Sequence, residues 1–251
     1  EATGAITASG NIDVLSQDNS SVTSEAAGAQ AGLINLQAVV ATAKKDGDNQ
    51  AIVGGTVTMD GGSAGKLTVD AERSGLVQAT ATASMGGAYG ANAAAATATD
   101  IGAVTAQTND NSTIQADNDA VSVKANASDN VKAQSIGVGV SSNAQIGASV
   151  AIATAKPTVS AKIGTGNTIK AAALAVKATG TSNGTAATHA SGGGLLLGLN
   201  AAVSEADSQA TVTSAVGDNS NLTITGEAAI GATANTAQTA DASGITGGIV
   251  A

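Results

Sequence analysis

A chain of 251 residues is long enough for one large or two medium globular domains, yet it has no Phe, no Trp, no Cys and a single Tyr, Tyr89. Such a chain lacks the rings that ordinarily supply the largest buried areas of a compact core, so an ordinary globule is a poor fit. The net charge is -9, and the ten basic residues are scattered except for Lys44-Lys45, which argues against a nucleic-acid-binding surface.

Disorder is the competing reading of an acidic chain rich in Gly and Ala. Hydrophobic residues make up 43% and charged ones 12%, and Pro occurs once, at Pro157. Disordered chains are richer in charge and Pro, so order is the better reading. The absence of Cys agrees with export, where unpaired thiols are a liability. No apolar run approaches the roughly 20 residues of a membrane span, and Leu195-Leu196-Leu197 is hemmed in by glycines, so no membrane insertion is expected.

In chain order, Ala5-Ile6-Thr7-Ala8 opens as a short alternating strand. Next comes Ile12-Asp13-Val14, the first of five related words. The others are Leu67-Thr68-Val69-Asp70-Ala71, Val121-Ser122-Val123-Lys124-Ala125, Leu174-Ala175-Val176-Lys177-Ala178 and Ala228-Ala229-Ile230-Gly231-Ala232. Their starts, at 12, 67, 121, 174 and 228, are separated by 55, 54, 53 and 54 residues. A fixed period of this size is the mark of stacked repeats, here bounded as 12–66, 67–120, 121–173, 174–227 and a partial 228–251.

Each unit runs through the same events. In the third unit, Val121 to Ala125 is followed by a polar break at Ser128-Asp129-Asn130 and a small-residue stretch from Val131 to Ile163. A turn at Gly164-Thr165-Gly166-Asn167 then leads into the short strand Thr168-Ile169-Lys170-Ala171. Equivalent turns stand at Asn109-Asp110-Asn111-Ser112 and Gly217-Asp218-Asn219-Ser220, where Asn, Asp and Gly accept the left-handed conformations of sharp corners. The small-residue stretches alternate with period two, as in Ile136-Gly137-Val138-Gly139-Val140 and Ser149-Val150-Ala151-Ile152-Ala153, which predicts strand. Asn92 to Ala98 could form helix on Ala propensity, but Gly86, Gly87, Gly90, Thr97 and Thr99 weaken it, and strand is preferred.

Stacking such strands in register yields an all-β solenoid. With two or three coils per 54-residue repeat, the chain becomes a rod of about 14 coils and about 65 Å. Ala and Gly suit places where two sheets approach closely, and Val and Ile the wider ones. The opening Ala5-Ile6-Thr7-Ala8 matches the closing strand of a unit, and Gly244 to Val250 matches the middle of one. Neither end shows a cap, so the chain reads as a segment of a larger protein.

Candidate sites are few. His189 has no second His or Cys to share a metal, and reads as an outward strand residue. Asp46-Gly47-Asp48-Asn49 and Gly217-Asp218-Asn219 could hold Ca²⁺, but they lack the nine-residue recurrence of calcium-binding β-rolls and are read as corner turns. Carboxylates cluster only at Glu205-x-Asp207 and Asp70-x-Glu72-Arg73, without an aromatic platform, and are read as solvated strand faces. Thr-x-Thr words at Thr56, Thr80, Thr97, Thr211 and Thr223 do not recur at one position of every unit, as an ice-binding ladder demands. No catalytic, metal or cofactor-binding residue is therefore assigned, and an enzyme is not expected.

The words Ser135-Ile136-Gly137-Val138-Gly139-Val140, Ile146-Gly147-Ala148-Ser149-Val150-Ala151, Val159-Ser160-Ala161-Lys162-Ile163-Gly164 and Thr168-Ile169-Lys170-Ala171 resemble repeats of giant bacterial surface proteins. These are the leukotoxin-like and filamentous-haemagglutinin-like adhesins, exported by autotransporter or two-partner systems. The resemblance covers nearly the whole chain. It implies a right-handed parallel β-helix outside a Gram-negative-type cell, working as a stalk or adhesive segment. Its partners would be neighbouring repeats of the parent chain and, beyond them, a host surface, other cells or further copies. The alternatives are a self-assembling extracellular fibre and a solenoid face that binds ice or carbohydrate.

Overall fold

The computed structural model describes residues 4–59 and 65–249. Fourteen strands follow one another: β1 (Ala5–Ala8), β2 (Ile12–Asp18), β3 (Val22–Lys45), β4 (Asn49–Val53), β5 (Thr56–Met59), β6 (Lys66–Asp100), β7 (Ala103–Thr108), β8 (Thr113–Ala155), β9 (Thr158–Ile163), β10 (Thr168–Gly194), β11 (Leu197–Ser208), β12 (Thr211–Val216), β13 (Asn221–Ile224) and β14 (Ala228–Gly247). Every pairing is parallel, and no helix occurs among the described residues. The alternation of small and β-branched residues thus prevails over Ala helix propensity, Asn92 to Ala98 included.

The sequence period is the hydrogen-bonding register. Ile12 pairs Leu67, Leu67 pairs Val121, Val121 pairs Leu174 and Leu174 pairs Ala228, so each step spans one whole repeat. Two or three coils per repeat would instead set sheet neighbours about 27 or 18 residues apart (54 divided by two or three). That expectation is corrected. The five stacked words make four steps of about 4.8 Å, so the stack is about 19 Å high rather than about 65 Å.

The reason lies in how the small-residue stretch is used. It does not wrap a further coil but folds back on itself within its own layer. In the second layer, residues 76–86 run outward and residues 90–100 return, and the Asn92 side chain donates across the fold to the Ala83 carbonyl at 3.4 Å. Gly87 sits at the tip, where a Cβ would overlap the Gly32 carbonyl oxygen of the layer before. Both limbs then pair with their own equivalents in the neighbouring layers.

Two apolar compartments result. The body holds Leu67, Val69, Val121, Val123, Ile114, Ile163, Ile169, Leu174 and Val176, all buried. The arm between the limbs is filled almost wholly by Ala, such as Ala79, Ala81 and Ala83 facing Ala94, Ala96 and Ala98. Small side chains let the limbs close over each other, while the wider body takes branched ones, as the composition implies.

Corners repeat as the sequence predicts. Asn111, Gly166 and Asn219 occupy one corner position in three layers with φ of 55°, 70° and 56°. Asn111 N–H donates to Thr165 O and Gly166 N–H to Asp218 O, each at 2.8 Å, so the corners hydrogen-bond along the stack like the strands. Asn167 ties three of them: its Oδ1 accepts from Ser112 N–H at 2.7 Å, its Nδ2 donates to Thr108 Oγ1 at 2.5 Å, and its N–H donates to Ser220 Oγ at 3.3 Å.

The terminal matches hold in outline. β1 pairs β5 as a closing strand, and Gly244 to Gly247 lies on Ala190 to Gly193, at the end of β10 and inside the unit. Ile245 stands beside Ser191, which stands beside Val138, so its register differs by two residues from the match to Ile136. A two-residue slip keeps the same face of the strand. Val250 lies outside the described residues. Ser128-Asp129-Asn130 is no break: β8 runs through it, and Asp129 points inward.

The thin arm yields a direct test. Ala81→Leu, which adds bulk between the limbs, is expected to lower stability by about 1–3 kcal/mol, whereas Thr80→Leu on the outward side should stay within about 0.5 kcal/mol. Denaturant melts of the two variants check it.

Candidate functional site

Where body meets arm, five charged side chains gather across three layers. Strand parity puts Leu67, Val69, Ala71 and Arg73 on the inward side of β6, so Arg73 is carried into the interior at 1% exposure. Register stacks Asp18 on Arg73 and Lys45 on Asp100, alternating sign within each layer and between layers. The Arg73 guanidinium donates to Asp100 and, at 3.2 Å, to Asp129 Oδ2 of the third layer, and its Nε lies 3.9 Å from Asp18 Oδ2. Lys45 Nζ lies 3.2 Å from Asp18 Oδ2 and donates to the carbonyls of Ser20 and Ser74 at 3.0 and 2.8 Å. Asp70 and Glu72 are on the opposite face, so reading Asp70-x-Glu72-Arg73 as one solvated face is wrong for Arg73.

Three carboxylates face two cations, and Arg73 Nε, Asp100 Oδ2 and Asp129 Oδ1 have no hydrogen-bond partner. Burial, and then the nearby Asp100 charge, push the Asp129 carboxyl up to about 6 against the pull of Arg73. Burial acts the same way on Asp18, but hydrogen bonds from Ser20 and the Lys45 ammonium outweigh it and hold that carboxyl below its ordinary value. Four members are buried, Asp18 stands at the rim with 30% of its side chain exposed, and all are ion-paired, so the cluster serves as a polar seam between the two compartments.

The remaining candidates are dispersed. His189 is exposed on β10, with Nδ1 2.6 Å from Ser243 Oγ one layer on. Asp46 pairs with Lys44, and Asp48 Oδ1 accepts from Ala103 N–H at 3.0 Å, a corner role. Glu205 and Asp207 point out from β11, with Asp207 2.5 Å from Lys156. No group of three or more metal-ligating side chains occurs among the described residues. Thr56, Thr113 and Thr168 do stack, but Ala5 and Asn221 flank them, and the other Thr words fall in mixed columns. The fourth place of the opening strand stacks Leu15, Asp70, Lys124, Lys177 and Gly231 and keeps no chemical type.

The most distinctive surface is the outer side of the return limbs. One column there is Leu36, Ala91, Ile146 and Leu199, the next Ala38, Ala93, Ala148 and Ala201, and the third Val40, Ala95, Val150 and Val203. All are exposed or half-exposed, Leu36 at 74% and Val40 at 66%. No charged residue occurs in 26–43, 74–99, 133–155 or 178–204, so the return limbs are uncharged up to Glu205, and the carboxylates of the arm, Glu25 and Asp241, stand on the outgoing limbs in the column of Thr80. An uncharged aliphatic sheet face of this regularity is a contact surface in form.

Scans of family models, curated proteins and solved structures return no match to this chain.

The ionic seam predicts a pH dependence. Because the folded-state value of Asp129 lies above its ordinary 3.8, its contribution to stability is present in full below about pH 4 and lost as pH rises through about 6. The difference corresponds to about 2–3 kcal/mol. Thermal melts should therefore show a higher midpoint at pH 5 than at pH 7.5, and Asp129→Asn should flatten that profile and raise the midpoint at pH 7.5. An unchanged profile in the variant contradicts the assignment.

Proposed function

We propose that the chain is a stretch of right-handed parallel β-helix serving as a structural stalk or adhesive segment of a large secreted bacterial cell-surface protein. The observation that carries this reading is the contrast between inside and outside. Away from the ionic seam, most inward positions of the body and the arm keep their apolar, Ala or corner character from layer to layer, while an outward column of the body such as Leu15, Asp70, Lys124, Lys177 and Gly231 changes freely. A framework that repeats its apolar interior extends by adding layers, each contacting only its neighbours.

The resemblance to leukotoxin-like and haemagglutinin-like repeats supports the same reading, with export through an autotransporter or two-partner route. An interior without bulky rings suits a chain that crosses a membrane unfolded and winds up outside, each new layer templated by the last. In this role the segment works through length, carrying a binding region away from the cell.

Antibodies raised against the folded chain test the location. They are expected to label intact, unpermeabilised cells of the source organism, and external protease should abolish that labelling. Labelling only after permeabilisation would overturn the proposal.

A further inference from the structure

We infer that the outer face of the return limbs is a self-association surface, on which a second copy of this chain lies face to face with its layers in reverse order. A protein of net charge -9 repels its own copies over most of its surface, but the outer face of the return limbs brings no carboxylate into contact until Glu205 and Asp207 near the base of the arm. A two-fold axis along the strands sets the first layer against the partner's fourth and the second against the third.

Under that operation the face is complementary to itself. Ala91 meets Ile146 and Ala95 meets Val150, small against large in the two inner layers, and the all-Ala central column lets the sheets close. At the base of the arm, Lys44 and Asp207 end one column, with Thr99 and Thr154 between them. Reversing the layers places Lys44 of each copy opposite Asp207 of the other. Each already holds a local counter-ion, Lys44 with Asp46 at 2.7 Å and Asp207 with Lys156 at 2.5 Å, so the facing pairs alternate in sign. With layers in the same order the two-fold axis would run along the stack, the strands of the two copies would run in opposite directions, and Lys44 and Asp207 would lie opposite the uncharged far end of the partner's patch.

The patch measures roughly 20 Å along the strands and, over the three steps between its four layers, about 14 Å up the stack, close to 300 Å² per copy. That is well under half of the roughly 800 Å² that a standard stable interface buries per partner, so the association is reversible and concentration-dependent for this chain. It goes beyond the stalk reading: further layers of the same pattern would lengthen the contact and pair two stalks side by side.

Sedimentation equilibrium of the 251-residue chain from about 1 µM to about 1 mM, at low salt, should show a monomer–dimer equilibrium. Ala148→Glu, which sets an unpaired charge in the central column, should weaken it about a hundredfold or more while leaving the far-UV circular dichroism unchanged. Lys44→Asp alone should also weaken it, and Lys44→Asp with Asp207→Lys should restore it. A monomer across the whole range, or a dimer indifferent to Ala148→Glu, overturns the proposal. Failure of the double exchange to rescue the single one overturns the reversed layer order. Retention of a different protein by this face with no self-association would assign it to a heterologous partner and overturn the inference as well. None of these outcomes alters the surface-labelling result, so the two readings stand or fall separately.

Discussion

Parallel backbone hydrogen bonding between residues one repeat apart is the constraint on which the rest of the structure depends. Once Leu67 pairs Val121 and Val121 pairs Leu174, each position of a layer is fixed above its equivalent, and corners, limbs and interior follow. The bond is local to adjacent layers, so stability grows by neighbours rather than by closing one core. Ala contributes little burial per residue, and the limbs gain instead from continuous ladders and from close contact with each other. The same register turns single residues into columns: an Asn or Gly corner, an Ala seam, a charged pair.

Columns explain why the buried ionic group is tolerable. Four buried charges and a fifth at the rim are costly unless each finds a partner, and register supplies partners in two directions, across the layer and along the stack. Asp18 over Arg73 and Lys45 over Asp100 form an alternating square, and Asp129 adds one negative charge more than the square balances. The next layer is neutral at the equivalent place, where Ser182 Oγ donates to Ala155 O at 2.7 Å. The charged seam therefore marks the first three layers, while hydroxyl and Ala fill the same junction beyond.

Much of this was legible in the residues. Period two gave the strands and Asn-Asp-Gly runs gave the corners with left-handed residues at Asn111, Gly166 and Asn219, whereas the 54-residue spacing, read as two or three coils, is itself the hydrogen-bonding register. The fold-back was not legible, because a limb that turns over itself and a coil that wraps onward show the same alternation. Gly86, Gly87 and Gly90 carry the signal, but read one at a time they only weaken a helix. The Arg73 cluster was missed for a related reason. Its five members lie far apart in sequence, and they converge only when parity sends Arg73 inward and the 55-residue step sets Asp18 and Lys45 beside it. The aliphatic face of the return limbs is likewise a property of aligned columns. Ala38 or Ala148 alone says nothing.

The chain has no cysteine, so introduced pairs report register cleanly. Lys124 and Lys177 are outward neighbours in adjacent layers, 53 residues apart and paired in β8 and β10. The double variant Lys124→Cys with Lys177→Cys should form an intramolecular disulfide under mild oxidation, since paired strands hold Cα atoms at about 4.8 Å. Lys124→Cys with Val150→Cys, about half a repeat apart, should stay reduced. Efficient cross-linking of the half-repeat pair with none in the whole-repeat pair would contradict one layer per repeat, and with it the account built on that register.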